Sequence, residues 1–556
     1  MKITSSIPLW LAAVFLTGCG ANEKPVKAVN EPPSISAADI GRRIEALSAD
    51  DFKGRAPGTE GGRLASQYVA DEMKAAGIAP IGKDGTYFQP ITLTNTTVTE
   101  GSFMSIGGDD AAVTEYKFQG NSVYWTKRYE QSVEVNDAAL VFVGYGIVAP
   151  EFGWDDYAGI DVKGKTVVML VNDPGYASDD VDLFNGKAMT YYGRWTYKYE
   201  EAARQGAAAV LIVHETKPAS YGWNVVADSW AGGQVDLVRP DSGASRAALE
   251  GWLTIEASRE LFTLASLDFD AQKKAAATKG FKPVAMGELK LNAKINNEIS
   301  TVKSRNVVGV VKGTTYPDEY ILYMGHWDHL GEKPVEPGED GIYNGAVDNA
   351  TGTASILEIG EAFAAKPAER SVMILAVTAE ESGLLGSTYF AEDPIVPLSS
   401  IVAGINIDGM LPLGQTKDMV VVGYGTSELD GRLKDILDKK KMYITPDPKP
   451  EAGYYYRSDH ISLAKKGVPM IYADAGVDHV VQGKTYGENF GTEYTKERYH
   501  SPADEYDDSW DLSGIEQVDK IFYELGHKLA NSRDWPNWNE DAEFRSLRDA
   551  MRKENN

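Results

Sequence analysis

Between residues 36 and 77, apolar positions recur at three- and four-residue steps in "SAADIGRRIEALS" and "EGGRLASQYVADEMKAAG", which predicts two amphipathic helices. The segment joining them, "FKGRAPGTEGG", is punctuated by glycine and proline and predicts a loop. From about 100 to 295 the pattern becomes β-rich. The short apolar runs "AALVFVGYGI" (138–147), "KTVVMLV" (165–171) and "AAAVLIVH" (207–214) predict strands, and "TYKYEEAARQGA" predicts a helix before the last of them. From about 304 the two periodicities alternate through "EYILYMGHWD", "ATGTASILEIGEAFAA", "RSVMILAVTAEE", "LLGSTYFAED" and "SSIVAGINIDGM". That order predicts an α/β domain with a mainly parallel sheet. A closing helix at 511–531 gathers Ile515, Val518, Phe522, Leu525 and Leu529 on one face, which suits docking on such a sheet. The expected division is 36–110 and 296–535 for the α/β domain, 111–295 for an inserted β-rich module, and a loosely held charged tail at 536–556.

At 556 residues the chain exceeds one ordinary domain, which agrees with that division. Its 43% hydrophobic and 24% charged residues are globular proportions, and a formal net charge of −26 argues against broad binding to nucleic acid or anionic lipid. The N-terminus adds a location. Met1-Lys2 precedes an apolar core, Ile7 to Leu16, about the length of a secretory signal and too short to span a bilayer. The following "LTGC" resembles the lipobox of bacterial lipoproteins, which implies that residues 1–19 are a signal and that Cys19, the sole cysteine, is lipidated. Gly20 at the next position implies the outer membrane, and polar, proline-bearing 20–35 reads as a tether. The expectation is a cell-envelope lipoprotein facing the periplasm or the cell surface, touching the membrane only through its lipid. With one cysteine there is no intrachain disulfide.

Candidate chemistry collects where the predicted strands end, the usual place for function in open α/β sheets. "GHWDHLG" offers His326, Asp328 and His329; "NGAVDNATG" offers Asp348; "TAEESG" offers Glu380 and Glu381; "NIDG" offers Asp408; and "ERYHSPADEYD" offers Tyr499 and His500. Taken singly, Asp348 could cap a helix, Asp408 could serve a turn, and the histidines could be satisfied core residues. Adjacent glutamates at a buried strand end are harder to dismiss, because unpaired carboxylates there cost several kcal/mol or neutralise. As a set, these groups would repel or stay unpaired without a cation. Imidazole combined with carboxylate suits zinc, and the number of donors exceeds one tetrahedral site. Two ions sharing a ligand, with one carboxylate left free to take a proton from water, is the economical arrangement.

In their order, "GHWDHLG", "GAVDNATGTA", "AEESGLLGS", "NIDGM" and "YHSPADEYD" resemble the co-catalytic dizinc exopeptidases, a family that includes secreted leucyl aminopeptidases and glutamate carboxypeptidase. The resemblance covers about 304–535 and also the N-terminal helices with "GRAPGTEGG"; the insert resembles a protease-associated domain. It implies a phosphorylase/aminopeptidase-like α/β/α fold and two Zn²⁺ per chain. Asp348 would bridge the ions, with a bond to Asn349 that is often cis in the family. His326 and Asp408 would complete one ion, and Glu381 and His500 the other. Glu380 would be the general base, Asp328 the acid that orients the His326 imidazole, and Tyr499 a phenol stabilising the tetrahedral intermediate. His214, His329, His460, His479 and His527 read as structural or loop residues.

The function expected is release of N-terminal residues from peptides. Arg457, in "YYYRSDHISLAKKGVP", could instead hold a substrate carboxylate, which points to a carboxypeptidase or dipeptidase; the tyrosines 454–456, Tyr456 among them, could line an apolar pocket. A one-zinc glutaminyl-cyclase-like enzyme and a non-catalytic receptor are weaker alternatives, because the full two-ion ligand set is present. Sequence leaves side-chain preference, native metal and oligomeric state open.

Overall fold

The computed structural model describes residues 35–108, 112–178, 180–230 and 232–553. The signal, Cys19 and nearly all of the tether lie outside the described residues.

Among the described residues, the body of the main sheet is made of β1 (Phe88–Val98), β2 (Val284–Val311), β3 (Tyr316–His326), β4 (Arg370–Val377), β5 (Ile401–Asn406), β6 (Asp418–Val422), β7 (Tyr443–Pro446) and β8 (Met470–Ala475), with the short strand Ala79–Pro80 also pairing with β2. They lie side by side as β1-β2-β4-β3-β5-β8-β6-β7. The central four, β4-β3-β5-β8, are parallel, whereas β2 and β6 join them antiparallel. The sheet is therefore mixed at both flanks with a parallel centre. Every residue of β4 and β5 is buried, as expected for strands covered on both faces. From β3 the chain passes to β4 on one side, then crosses back to β5 on the other. The topological switch thus falls at the carboxyl ends of β3, β4 and β5.

Helices cover both faces. On one, α3 (Gly352–Ala365) and α5 (Ser513–Ala530) share a core with α1 (Ala37–Leu47), in which Ile356, Ile359 and Phe363 meet Ile515, Val518, Phe522 and Leu525. On the other, α4 (Leu385–Glu392) contributes Phe390 to a core with Leu322, Met324, Met373 and Leu375. The helix α2 is Glu60–Ala75. The periodic stretches at 36–48, 60–77 and 511–531 thus form helices within a residue or two of their expected ends.

The insert is a second β-rich unit in which Ser132–Phe142, Thr166–Leu170, Ala209–Val213 and Leu249–Leu253 align in one sheet. It is tied on by β2, which is 28 residues long. Its first half pairs with Ser132–Phe142, and its second half with β1, where Asn297 faces Val98. Domain pairing therefore changes hands at 98 and 297, which moves the start of the insert from 111 to about 99. Gln234–Leu237 returns from the insert to pair with β1.

The segment after 535 differs from its expectation. Trp538 and Phe544 are buried, and α6 (Arg545–Lys553) sends Arg548 under β5, where its guanidinium donates to the carbonyls of Ile401 and Val402 at 3.1 and 3.2 Å. Charge counting missed this because a few aromatic residues, rather than the many charged ones, decide where the segment lies. Among the described residues, no helix is long and apolar enough to cross a membrane.

Candidate functional site

At the end of β4 the chain leaves the sheet through Ala379, whose φ of +54° is a left-handed conformation uncommon for alanine. The turn closes with Leu385 N–H donating to Ala379 O at 3.0 Å and Gly386 N–H to Thr378 O at 2.9 Å. It sends the two glutamates apart. Glu380 lies with Oε2 4.0 Å from His326 Nε2, whereas Glu381 faces His500 and His329.

His326, the last residue of β3, presents Nε2 to Asp408 Oδ1 at 3.2 Å and to Asp348 Oδ1 at 3.3 Å. The other oxygen of Asp348 lies 3.1 Å from His500 Nε2, which is also 3.3 Å from Glu381 Oε2. Asp348 thus stands between two clusters, His326–Asp408 and His500–Glu381, and the five residues expected to hold metal are gathered around it. Its bond to Asn349 is cis.

The supporting groups come from several elements. Asn349 donates to Ile407 O at 3.0 Å and accepts from the N–H of Gly409 at 3.1 Å, tying the Asp348 loop to the Asp408 loop. Asp504 accepts from the N–H groups of Val347 and Asp348, both at 3.1 Å. Ser458 donates to Asp408 Oδ2 at 2.5 Å. Beneath them Arg55, fully buried, donates to the carbonyls of Trp327, Leu47, Asn344 and Gly345. Arg55 belongs to "GRAPGTEGG", which looked like a loop. Its positioning role was missed because a pattern of glycines carries no record of which carbonyls an arginine will meet.

Two expectations change here. The carboxylate of Asp328 stands 3.8 Å from His326 Nδ1, beyond hydrogen-bond reach, and it is the backbone carbonyl of Asp328 that lies at 3.1 Å. The carboxylate turns instead to the N–H of Glu380 at 3.2 Å, so it fixes the strand-end turn that carries the glutamates. His329, read as structural, is in the site: Nδ1 is 2.6 Å from Glu381 Oε1, and His329, Asp348 and Glu381 together form a three-donor group. A second such group is His326, Glu380 and Asp408. The pattern H-x-D-H contained this histidine, but spacing alone could not say which way the chain turns after Asp328.

The remaining histidines stay outside. His214 contacts Tyr221 O at 3.1 Å, His460 packs on Tyr455 and Tyr472, His479 Nδ1 accepts from Gln482 N–H at 2.9 Å, and His527 packs on Tyr523.

Tyr499 stacks on His500 with ring centres 3.9 Å apart, half exposed to the cavity. That cavity, about 480 Å³, runs between the insert and the α/β domain, with Glu380, Glu381, Tyr499 and His500 at one end and Arg194 and Arg457 elsewhere in its wall. Tyr456 also lines it, although its hydroxyl donates to Glu543 at 3.1 Å; Tyr455 is buried and Tyr454 is exposed.

The electrostatics follow from the packing of these acids and imidazoles. Burial pushes Glu380 well above the ordinary carboxylate range; His326 opposes this, while Asp408 and Glu381 add to it. Burial likewise raises Asp328 to about 7. Burial works against ionising Asp348, yet contact with His326 and His500 holds it well below the usual range. His326 is raised well above its ordinary value, against burial, by Asp408 and Glu380. Asp328 Oδ2, Glu381 Oε1 and both ring nitrogens of His329 are buried without a hydrogen-bond partner. Such orphaned donor atoms in an acid-rich cluster are what a multivalent cation satisfies, and the imidazole–carboxylate mixture fits zinc.

The parallel centre, the switch point and the acid–imidazole cluster define a candidate metal site at the strand ends of an α/β sheet. Residues 306–525 match the model of Peptidase family M28. The mouse aminopeptidase NAALADL1 is 33% identical over 141 residues, 23% of this chain and 17% of that protein. A probable zinc metalloprotease of Pyrenophora teres f. teres is 34% identical over 110 residues, 20% of this chain and 23% of its own length. The chain thus spans under a quarter of these relatives. The solved aminopeptidase from Aneurinibacillus sp. strain AM-1 aligns over 90% of this chain and 95% of its own at 20% identity, with a TM-score of 0.48.

Proposed function

We propose that the protein is a two-zinc exopeptidase acting as an aminopeptidase. The observation that carries this reading is Asp348 standing between two donor clusters, with Glu380 at the margin toward the cavity. His326, Asp348 and Asp408 would hold one ion, and Asp348, Glu381 and His500 the other. When bound, such a pair supplies Lewis acidity toward a peptide carbonyl and an acidified water. Glu380, farther from His326 Nε2 than Asp408 or Asp348 is, stays free to take the proton of the attacking water. As the water oxygen bonds to the carbonyl carbon and the C–N bond breaks, Glu380 returns that proton to the departing amine. The Tyr499 phenol donates to the developing oxyanion. A free α-amine is drawn to the acidic end of the cavity, and the insert, by resemblance a protease-associated domain, roofs that cavity and favours chain ends over chain middles.

A second reading rests on a separate observation. Arg194, from the insert, and Arg457 line the same cavity, and neither has an ion pair among the described residues; Arg194 Nε and Arg457 Nε and Nη2 are buried and unpartnered. Two such guanidinium groups suit a substrate carboxylate, as a dipeptidase or carboxypeptidase requires. Free, N-blocked and C-amidated peptides separate the readings. Cleavage that needs only a free N-terminus supports the aminopeptidase, whereas dependence on a free C-terminus supports the second reading. Removing metal with a chelator and restoring two zinc ions per chain should abolish and return either activity. One ion per chain with turnover of N-terminal glutamine would favour a cyclase. Location is part of the proposal: lipidation at Cys19 would hold the enzyme at the cell envelope, supported by the "LTGC" motif and the polar stretch after it.

A further inference from the structure

We propose that His329 is a positioning residue for Glu381, holding that carboxylate from the side opposite His500. The proposal rests on the two-ion reading of the site. Glu381 has two oxygens with different surroundings. Oε2 lies 3.3 Å from His500 Nε2, within the shared cluster around Asp348. Oε1 lies 2.6 Å from His329 Nδ1, within ion-pair reach, although the two atoms are not aligned as a hydrogen bond and neither has a hydrogen-bond partner.

The position of the ring is imposed from behind. Gly345 has φ +56°, and a Cβ there would come within 2.6 Å of the His329 ring and 2.2 Å of Asp348 O. The His329 backbone N–H is directed to Arg55 O at 3.4 Å, so the residue is tied to the arginine that also holds the Asp348 loop. A buried imidazole and a buried carboxylate oxygen are each costly to leave unpaired. A small turn of the ring that aims an Nδ1–H at Oε1 would satisfy both with one proton. It would also stop the carboxylate from rotating, so that Oε2 is the oxygen offered toward Asp348 and His500. Groups that orient a ligand in this way commonly contribute about 10- to 100-fold in metal affinity.

Asparagine places an amide nitrogen close to where histidine has Nδ1, whereas leucine has no donor. The test is zinc content and affinity of the full chain, read by competition with a chromophoric chelator, beside the absorption spectrum of the cobalt form. Wild type should hold two ions, and that value by itself tests the two-ion reading. H329L should bind one of the two about 10- to 100-fold more weakly and change the cobalt spectrum, and H329N should stay within about threefold of wild type. H329M serves the same comparison if H329L does not fold. Unchanged affinity in the apolar variants would reduce His329 to packing and overturn the proposal. Equal loss in H329N and H329L would overturn it the other way, since a directly ligating imidazole cannot be replaced by an amide.

Discussion

Glu380→Gln is the change that most directly separates a proton carrier from a metal ligand. The amide keeps the size and planarity of the side chain but cannot accept a proton from water. His326 Nε2 is 3.2 Å from Asp408, 3.3 Å from Asp348 and 4.0 Å from Glu380, so Glu380 is the outermost carboxylate about that imidazole. Positioned general acid–base groups contribute about 10²- to 10⁴-fold, and each factor of ten is about 1.4 kcal/mol of barrier. The variant should therefore lose roughly 3–5 kcal/mol of transition-state stabilisation, seen mainly in kcat with KM little changed. Two measurements are needed together: steady-state hydrolysis of an N-terminally free peptide, and metal per chain by elemental analysis. Loss of turnover with both ions retained is the expected result. Turnover within tenfold of wild type would refute the role as base. Loss of one metal equivalent would instead make Glu380 a ligand alongside His326 and Asp408.

Other outcomes follow from the same geometry. Arg55→Met should lower stability by about 3 kcal/mol or more, because it leaves buried carbonyls of Leu47, Trp327, Asn344 and Gly345 unpaired; thermal unfolding of the metal-free chain reads this. Gly345→Ala should weaken metal retention as well as the fold, since the added Cβ meets Asp348 O and the His329 ring; metal content at limiting zinc checks it. Asp519, buried on α5, is held well above its ordinary range by burial, with Ser355 opposing. The folded state then binds more protons than the unfolded one above pH ~4, so stability falls as pH rises from there, and Asp519→Asn should flatten the slope of denaturation midpoints against pH. Cys19→Ser should abolish incorporation of labelled fatty acid and release the protein from the membrane fraction; persistent labelling would exclude Cys19 as the lipid site.

Much of the site was legible because metal chemistry is carried by few residue types placed at strand ends. His326, Asp348, Glu381, Asp408 and His500 were each ambiguous alone, and their order along the alternating strands and helices made them a set. What escaped is equally specific. Asp328 was expected to orient His326 with its carboxylate, but the chain bends so that its carbonyl does this and its carboxylate goes to Glu380 N–H. His329 sits three residues from His326 on a non-helical turn, where spacing has no fixed direction. Arg194 lies more than 100 residues before His326 and lines the cavity from the insert, which is joined to the α/β domain through the shared β2.

The sequence by itself determined the alternation of strands and helices, the apolar faces of α1, α2 and α5, and the presence of more buried acid than a fold can hold without a cation. These are local properties: periodicity, residue chemistry and the cost of burying charge act over a few residues at a time. Only the tertiary structure decided that Glu380 and Glu381 diverge, through the left-handed Ala379 at the end of β4. It alone brought Arg55 under two loops nearly 300 residues away, packed the charged C-terminal segment by its aromatic residues, and set Asp348 between the two clusters. Those outcomes depend on directions and on which distant backbone groups remain to be satisfied, and packing settles both only once the sheet has formed.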